Sequence, residues 1–299
     1  MQWTAPKAAH RLTHILDTYA AAGGIPRFPV DVKELALGCA KLFNWSDPIA
    51  SVESANIPGF EGALMPSEER KRWMLLYNAA IRSPGRIRFT QAHELGHYIL
   101  HRADHQSFEC TEENMLDWSA DDKDIEAQAD EFASYLLMPL NDYRQQVNAA
   151  VDLDVMGHCA DRYGVSLTAS ILKWLSYTDE KALVIMSIDG YMKWAWSSQP
   201  AFRAGAFYRT RNHTIAIPVG SITGDDAIKS ERQGVNVSAC IWFPHAEPQL
   251  HLREMKLYSE QYDSIVTLLV LPRVATVWQP REAEAVSYTH LTLPTTERV

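Results

Sequence analysis

The five residues His93-Glu94-Leu95-Gly96-His97 constrain this chain more than any other stretch. Two histidines four positions apart stand one above the other only on an α-helix, and from there they can grip a single zinc ion. The glutamate between them then sits beside the metal, placed to take a proton from water. The surrounding residues agree with a helix over 88–102. At about 100° per residue, Phe89, Ala92, Leu95, Gly96, Ile99 and Leu100 make one apolar face, with His93 and His97 at its border and Glu94 further round.

A catalytic zinc takes three protein ligands and keeps one position open for water. His101 continues the same helical row. It stands eight residues from His93, however, about 12 Å along the axis, too far for both rings to reach one ion at about 2 Å. His101 is therefore read as a structural or solvated histidine. Leu100 and Ala103 occupy the positions where a metzincin carries its glycine and last histidine. Cys39 lacks the Glu-Gly-Cys context of a deformylase ligand.

The third ligand is expected from a second helix over 123–138, which Pro139 follows. Its core face is Ile125, Ala129, Phe132, Ala133 and Leu136, while Asp124 and Glu131 point to solvent. Glu126 and Asp130, four apart, share one border of that face. Glu126 is the expected third zinc ligand. Asp130 is the carboxylate expected to hold a zinc-bound imidazole in the right tautomer.

The rest of the chain reads as α+β. Helices are expected over 7–21, ended by Gly23-Gly24, and over 31–42. Short strands follow at 49–52, 59–65 and 73–78, and a polar, acidic loop covers 103–122. Two helices at 153–163 and 166–176, broken by Gly164-Val165-Ser166, precede strands 183–188 and 192–196 across an Asp189-Gly190 turn. This has the outline of a winged helix-turn-helix. Its second helix carries only Lys173 as a basic residue, so structural packing is expected ahead of DNA binding. Residues 201–285 look β-rich, with the clearest strands at 239–243 and 264–271. The expected division is an N-terminal helix (1–24), a minimal zincin-like core with a small mixed sheet (25–140), the helical region with its hairpin (141–200) and a β-rich C-terminal region (201–285). Residues 286–299 read as a translated sequencing adapter rather than native protein, because Val286 to Thr295 match one frame of a transposase adapter.

These residues carry a resemblance. The run Arg88-Phe89-Thr90-Gln91-Ala92-His93-Glu94-Leu95-Gly96-His97-Tyr98-Ile99-Leu100-His101, followed by Glu126 and by Phe132-Ala133-Ser134-Tyr135-Leu136-Leu137-Met138-Pro139, resembles the ImmA/IrrE family of bacterial metallopeptidases over roughly 30–195. The resemblance implies a minimal zincin fold with gluzincin-like ligands: zinc on His93, His97 and Glu126, and Glu94 as general base. It also implies a protein substrate, since members of known function cleave helix-turn-helix repressors and so switch on stress-response or mobile-element genes. Two departures stand out: Asp130 where many members carry asparagine, and Gln128 where many carry glutamate. Asp130 keeps a hydrogen-bond acceptor, so little damage to the site is expected. Strand 73–78 is expected at a sheet edge, receiving substrate as an added strand. Tyr98, Tyr135 and His105 are weak candidates for the oxyanion donor.

Composition sets the outer limits. With 46% hydrophobic and 22% charged residues, the 299-residue chain has the make-up of an ordinary soluble globular protein. A net charge of −9, from 28 basic and 37 acidic residues, argues against a mainly nucleic-acid-binding surface. No apolar run approaches the eighteen residues of a membrane span, and the N-terminus has no signal-peptide pattern. Four scattered cysteines without a C-x-x-C pair read as free thiols in a reducing, cytoplasmic setting. Two classes of function stand: a zinc endopeptidase of narrow specificity acting on a partner repressor, and a non-catalytic regulator or antitoxin-like binder that keeps the zinc fold as scaffold.

Overall fold

The local rules act at the helix ends. The computed structural model describes residues 3–56, 59–103, 108–111, 120–147, 151–211 and 213–278, with backbone only for 108–111 and 120–123. Helix α1 (Ala5–Gly23) has a proline in its first turn and stops where Gly24 turns left-handed at φ 62°. Helix α2 (Val32–Phe43) is capped by the Asp31 side chain, which accepts from the Glu34 N–H, and is closed by Asn44 in the left-handed region. Helix α3 (Pro84–Leu100) begins four residues before the expected start. Ser83-Pro84-Gly85 reads as a turn, yet Ser83 accepts from the Arg86 N–H and proline is at home in a first turn.

Strands β1 (Ile49–Ala55), β2 (Phe60–Pro66), β3 (Trp73–Asn78) and β4 (Phe108–Thr111) form one sheet in the order β1-β3-β2-β4. The β1–β3 pair is parallel and the other two are antiparallel, which is the small mixed sheet expected. Two expectations fail here. Strand β3 is no edge: Leu75 pairs with Val52 on one side and Leu64 on the other, so both ladders are filled and no peptide can add to it. The acidic 103–122 segment is also not all loop, because 108–111 supply the edge strand β4.

Helix α4 (Ala120–Leu137) ends ahead of Pro139, and α5 (Leu140–Gln146), absent from the sequence reading, follows at once. Tyr143 of α5 is fully buried and its hydroxyl donates to the Ser170 carbonyl at 2.7 Å, tying α5 to the helices beyond. Helices α6 (Leu153–Tyr163) and α7 (Leu167–Leu175) fall where expected. Their connecting turn is docked on α3: the Arg88 guanidinium donates to the Gly164 carbonyl. Ile171, Trp174 and Leu175 of α7 enter the same hydrophobic core as Leu95, Tyr98, Phe132 and Leu136. Lys173 is only 3% exposed and donates to Ser134 Oγ at 3.2 Å, so the one basic residue of α7 points inward.

The C-terminal part departs further from the sequence reading. Strands β5 (Lys181–Ile188) and β6 (Tyr191–Ser197) form the expected hairpin, but β5 also pairs with β9 (Ser264–Leu271). With β7 (Ser230–Ser238) and β8 (His251–Ser259) they make one antiparallel sheet, β6-β5-β9-β8-β7. The hairpin is thus part of the C-terminal sheet rather than a wing on the helices, and a boundary at 200 divides that sheet. Alternation decides which face goes where: Ala182, Val184, Val266 and Leu268 join the core under the helices, while Leu183, Ile185, Leu269 and Leu271 build a second core on the opposite face. Residues 239–243, expected as a strand, contain a helical turn (Ala239–Trp242) in which the Phe243 N–H donates to the Ala239 carbonyl. Five consecutive apolar residues carry no period, so burial alone could not tell strand from helix. Residues 286–299 lie outside the described residues.

Candidate metal centre

The site is made where α3 and α4 cross. A Cβ on Gly96 would meet Phe132 Cδ1 at 3.0 Å and Ala129 Cα at 3.2 Å, so the glycine lets the two helices approach closely. The approach brings the expected residues together. His93 Nε2 and His97 Nε2 lie 2.9 Å apart, His93 Nε2 lies 2.9 Å from Glu126 Oε2, and His97 Nε2 lies 3.3 Å from Glu126 Oε1. Three donors about 2 Å from one ion in tetrahedral geometry stand about 3.3 Å from each other, so the set has the dimensions of a zinc site. Among the described residues it is the one group of three or more metal-binding side chains that converge.

The protonation pattern fits a cation as well. Asp130 Oδ1 lies 2.9 Å from His93 Nδ1 and can hold that ring's proton, which would let Nε2 take a metal ion in place of its hydrogen bond to Glu126. Burial, opposed by the Glu126 hydrogen bond, lowers the His97 pKa to about 4, so its imidazole is neutral at pH 7. Burial pushes Glu126 upward, but hydrogen bonds from both histidines outweigh it and hold the carboxyl far below its usual range. Two imidazoles and a carboxylate are the donor set zinc takes in gluzincin-type sites. Glu94 is fully buried on the same helix, and the backbone of Gly62 in β2 passes directly over it.

Of the two alternatives expected for His101, structural or solvated, the buried structural one holds. It is 7% exposed, and its Nδ1 stands 3.2 Å from His97 Nδ1. Its Nε2 is 3.5 Å from Gln128 Oε1. With the His97 proton on Nδ1, His101 accepts it and turns its own Nε2–H toward the Gln128 carbonyl. The sequence offered a signal for this contact: His101 follows His97 at the same i, i+4 spacing that pairs His93 with His97.

Of the oxyanion candidates, Tyr98 is excluded. It is fully buried and its hydroxyl donates to the Asp47 carbonyl at 2.9 Å, on the core side of α3. Tyr135 lies beneath the Lys173 ammonium, 3.9 Å from the ring centre. His105 lies outside the described residues.

An H-E-x-x-H helix closed by a glutamate from the next helix, beneath a small mixed sheet, is the architecture of a zincin-type metallopeptidase. The family comparison agrees: residues 51–174 match the IrrE N-terminal-like domain, a zinc metallopeptidase family. The match falls within the span over which the two helices resemble the ImmA/IrrE family. No curated protein matches the chain.

Proposed function

We propose that the chain is a zinc-dependent endopeptidase of narrow specificity, and that its substrate is a helix-turn-helix repressor whose cleavage releases stress-response or mobile-element genes. The observation that carries the catalytic part is the convergence of His93, His97 and Glu126 within hydrogen-bonding distances of one another, with Glu94 buried alongside. The repressor rests on the family resemblance and the protein substrate on the peptidase family. No helix among the described residues is long and apolar enough to cross a membrane, which accords with a cytoplasmic substrate.

His93, His97 and Glu126 would hold zinc, and Asp130 and His101 would fix the two imidazoles that bind it. When bound, zinc supplies Lewis acidity, which makes water a stronger acid and polarises a carbonyl. Glu94 takes a proton from the attacking water and delivers it to the leaving amine. Its full burial keeps bulk water from competing for that proton.

The test is metal content per chain. About one zinc is expected in the wild type, and much less in His97→Ala and Glu126→Ala. Folded wild-type protein that takes up no zinc removes the enzyme reading and leaves the non-catalytic regulator. A related expectation concerns His101. Replacing it with alanine removes the acceptor for His97 Nδ1 and should weaken zinc binding about 10–100-fold, measured by competition with a chromophoric chelator. His101→Asn, which keeps an acceptor, should recover part of the loss.

A further inference from the structure

The helical rows that bring the metal ligands together do not end at the metal. On α3 the row through His93 continues back to Phe89 and Arg86, and on α4 the row through Glu126 continues forward to Asp130, Ser134 and Met138. The pairings His97–Glu126 and His93–Asp130 show the helices running in opposite senses, so both rows lead away from the metal in the same direction. Between them lies an open groove of about 720 Å³, lined on its far side by α7 and by Trp196 of β6. Asp130 belongs to both places, lining the groove and contacting His93. From Asp130 to Met138 the α4 wall is about 12 Å long, more than the reach of a phenylalanine or leucine side chain.

We infer that this groove is the subsite for the substrate residue beside the scissile bond, and that it takes a bulky apolar side chain while rejecting a basic one. The inference rests on the metal-centre reading given above. Phe89, Met138, Ala169, Leu172 and the outer Trp196 supply apolar walls, which favour a large hydrocarbon side chain leaving water. Lys173 supplies the discrimination. Its ammonium is held over the Tyr135 ring and bonded to Ser134 Oγ within the groove, and burial lowers its pKa to about 8. A lysine or arginine side chain would meet the Asp130 and Glu131 carboxylates only at the exposed, well-solvated rim and the desolvated Lys173 ammonium deeper in, where like charges at short range repel strongly.

The experiment uses the zinc-loaded full chain and three hydroxamates that differ only in the side chain next to the chelating group: none (acetohydroxamate), benzyl and 4-aminobutyl. Calorimetry gives each dissociation constant. In the wild type the benzyl compound should bind at least about tenfold more tightly than acetohydroxamate, and the aminobutyl compound no more tightly. Ala169→Trp, which fills the groove, should bring the benzyl-to-acetohydroxamate ratio close to one. Lys173→Met should let the aminobutyl compound gain several-fold. Equal binding of all three probes by the wild type, or a ratio that survives Ala169→Trp, overturns the subsite and leaves the metal centre standing. Failure of acetohydroxamate itself to bind overturns the metal centre, and the subsite with it.

Discussion

Glu94→Gln is expected to lower turnover by about 10²–10⁴-fold while zinc per chain stays at the wild-type level. Glutamine keeps the shape of the fully buried side chain and its place beside His93, but an amide cannot take up a proton near neutral pH. The two readouts separate the roles. Loss of zinc together with activity would mean that Glu94 supports the ligand geometry. Retention of both would remove it as the base. The measurement needs a peptide that the zinc-loaded wild type cleaves, and a library rich in bulky apolar residues is the place to look for one.

Gly62→Ala should cost nearly as much, from a residue that carries no functional group. A Cβ there would fall 2.6 Å from Thr90 Cγ2 and 2.7 Å from Glu94 Oε1, well inside contact distance. Both neighbours are side chains and can shift, so the fold should survive. Glu94 would be displaced by roughly an ångström, and misplacement on that scale costs about 10²-fold in rate. Zinc content should remain near one per chain, since the three atoms nearest the added methyl belong to Thr90 and Glu94 rather than to His93, His97 or Glu126. Gly38→Ala is the control. It lies in α2 with nothing within 4 Å of the new Cβ, and it should leave turnover alone while stabilising the helix by about 0.5–1 kcal/mol. Turnover unaffected by Gly62→Ala would show that the close approach of β2 to α3 plays no part in holding Glu94.

Much of the metal centre was legible in the sequence because its rules are local. The i, i+4 spacing of His93 and His97 follows from the 3.6-residue turn alone, whatever packs around it. The apolar stripe of α4 fixes which carboxylates border the core, and so Glu126 and Asp130 could be picked out before any contact was known; they lie 2.9 Å from His93 Nε2 and Nδ1 respectively. Helix ends obey local rules too: Asp31, Asp152 and Ser166 each satisfy an N–H three residues ahead.

What the tertiary structure decided was non-local. An alternating run such as 73–78 announces a strand but not its neighbours, and β3 is interior only because β1 and β2 pair on either side of it. The 181–197 hairpin has its own turn signal, yet its sheet is settled by β9, about eighty residues later in the chain. The same holds around the metal. His101 becomes a partner of His97, and Gly62 a requirement of Glu94, only once separate elements are packed within 3–4 Å of each other. Local period placed the candidate metal ligands on their helix faces, since a helix closes its hydrogen bonds within a single turn. The supports of the ligands and the groove beside them depend on which distant surfaces meet, and no spacing along the chain encodes that.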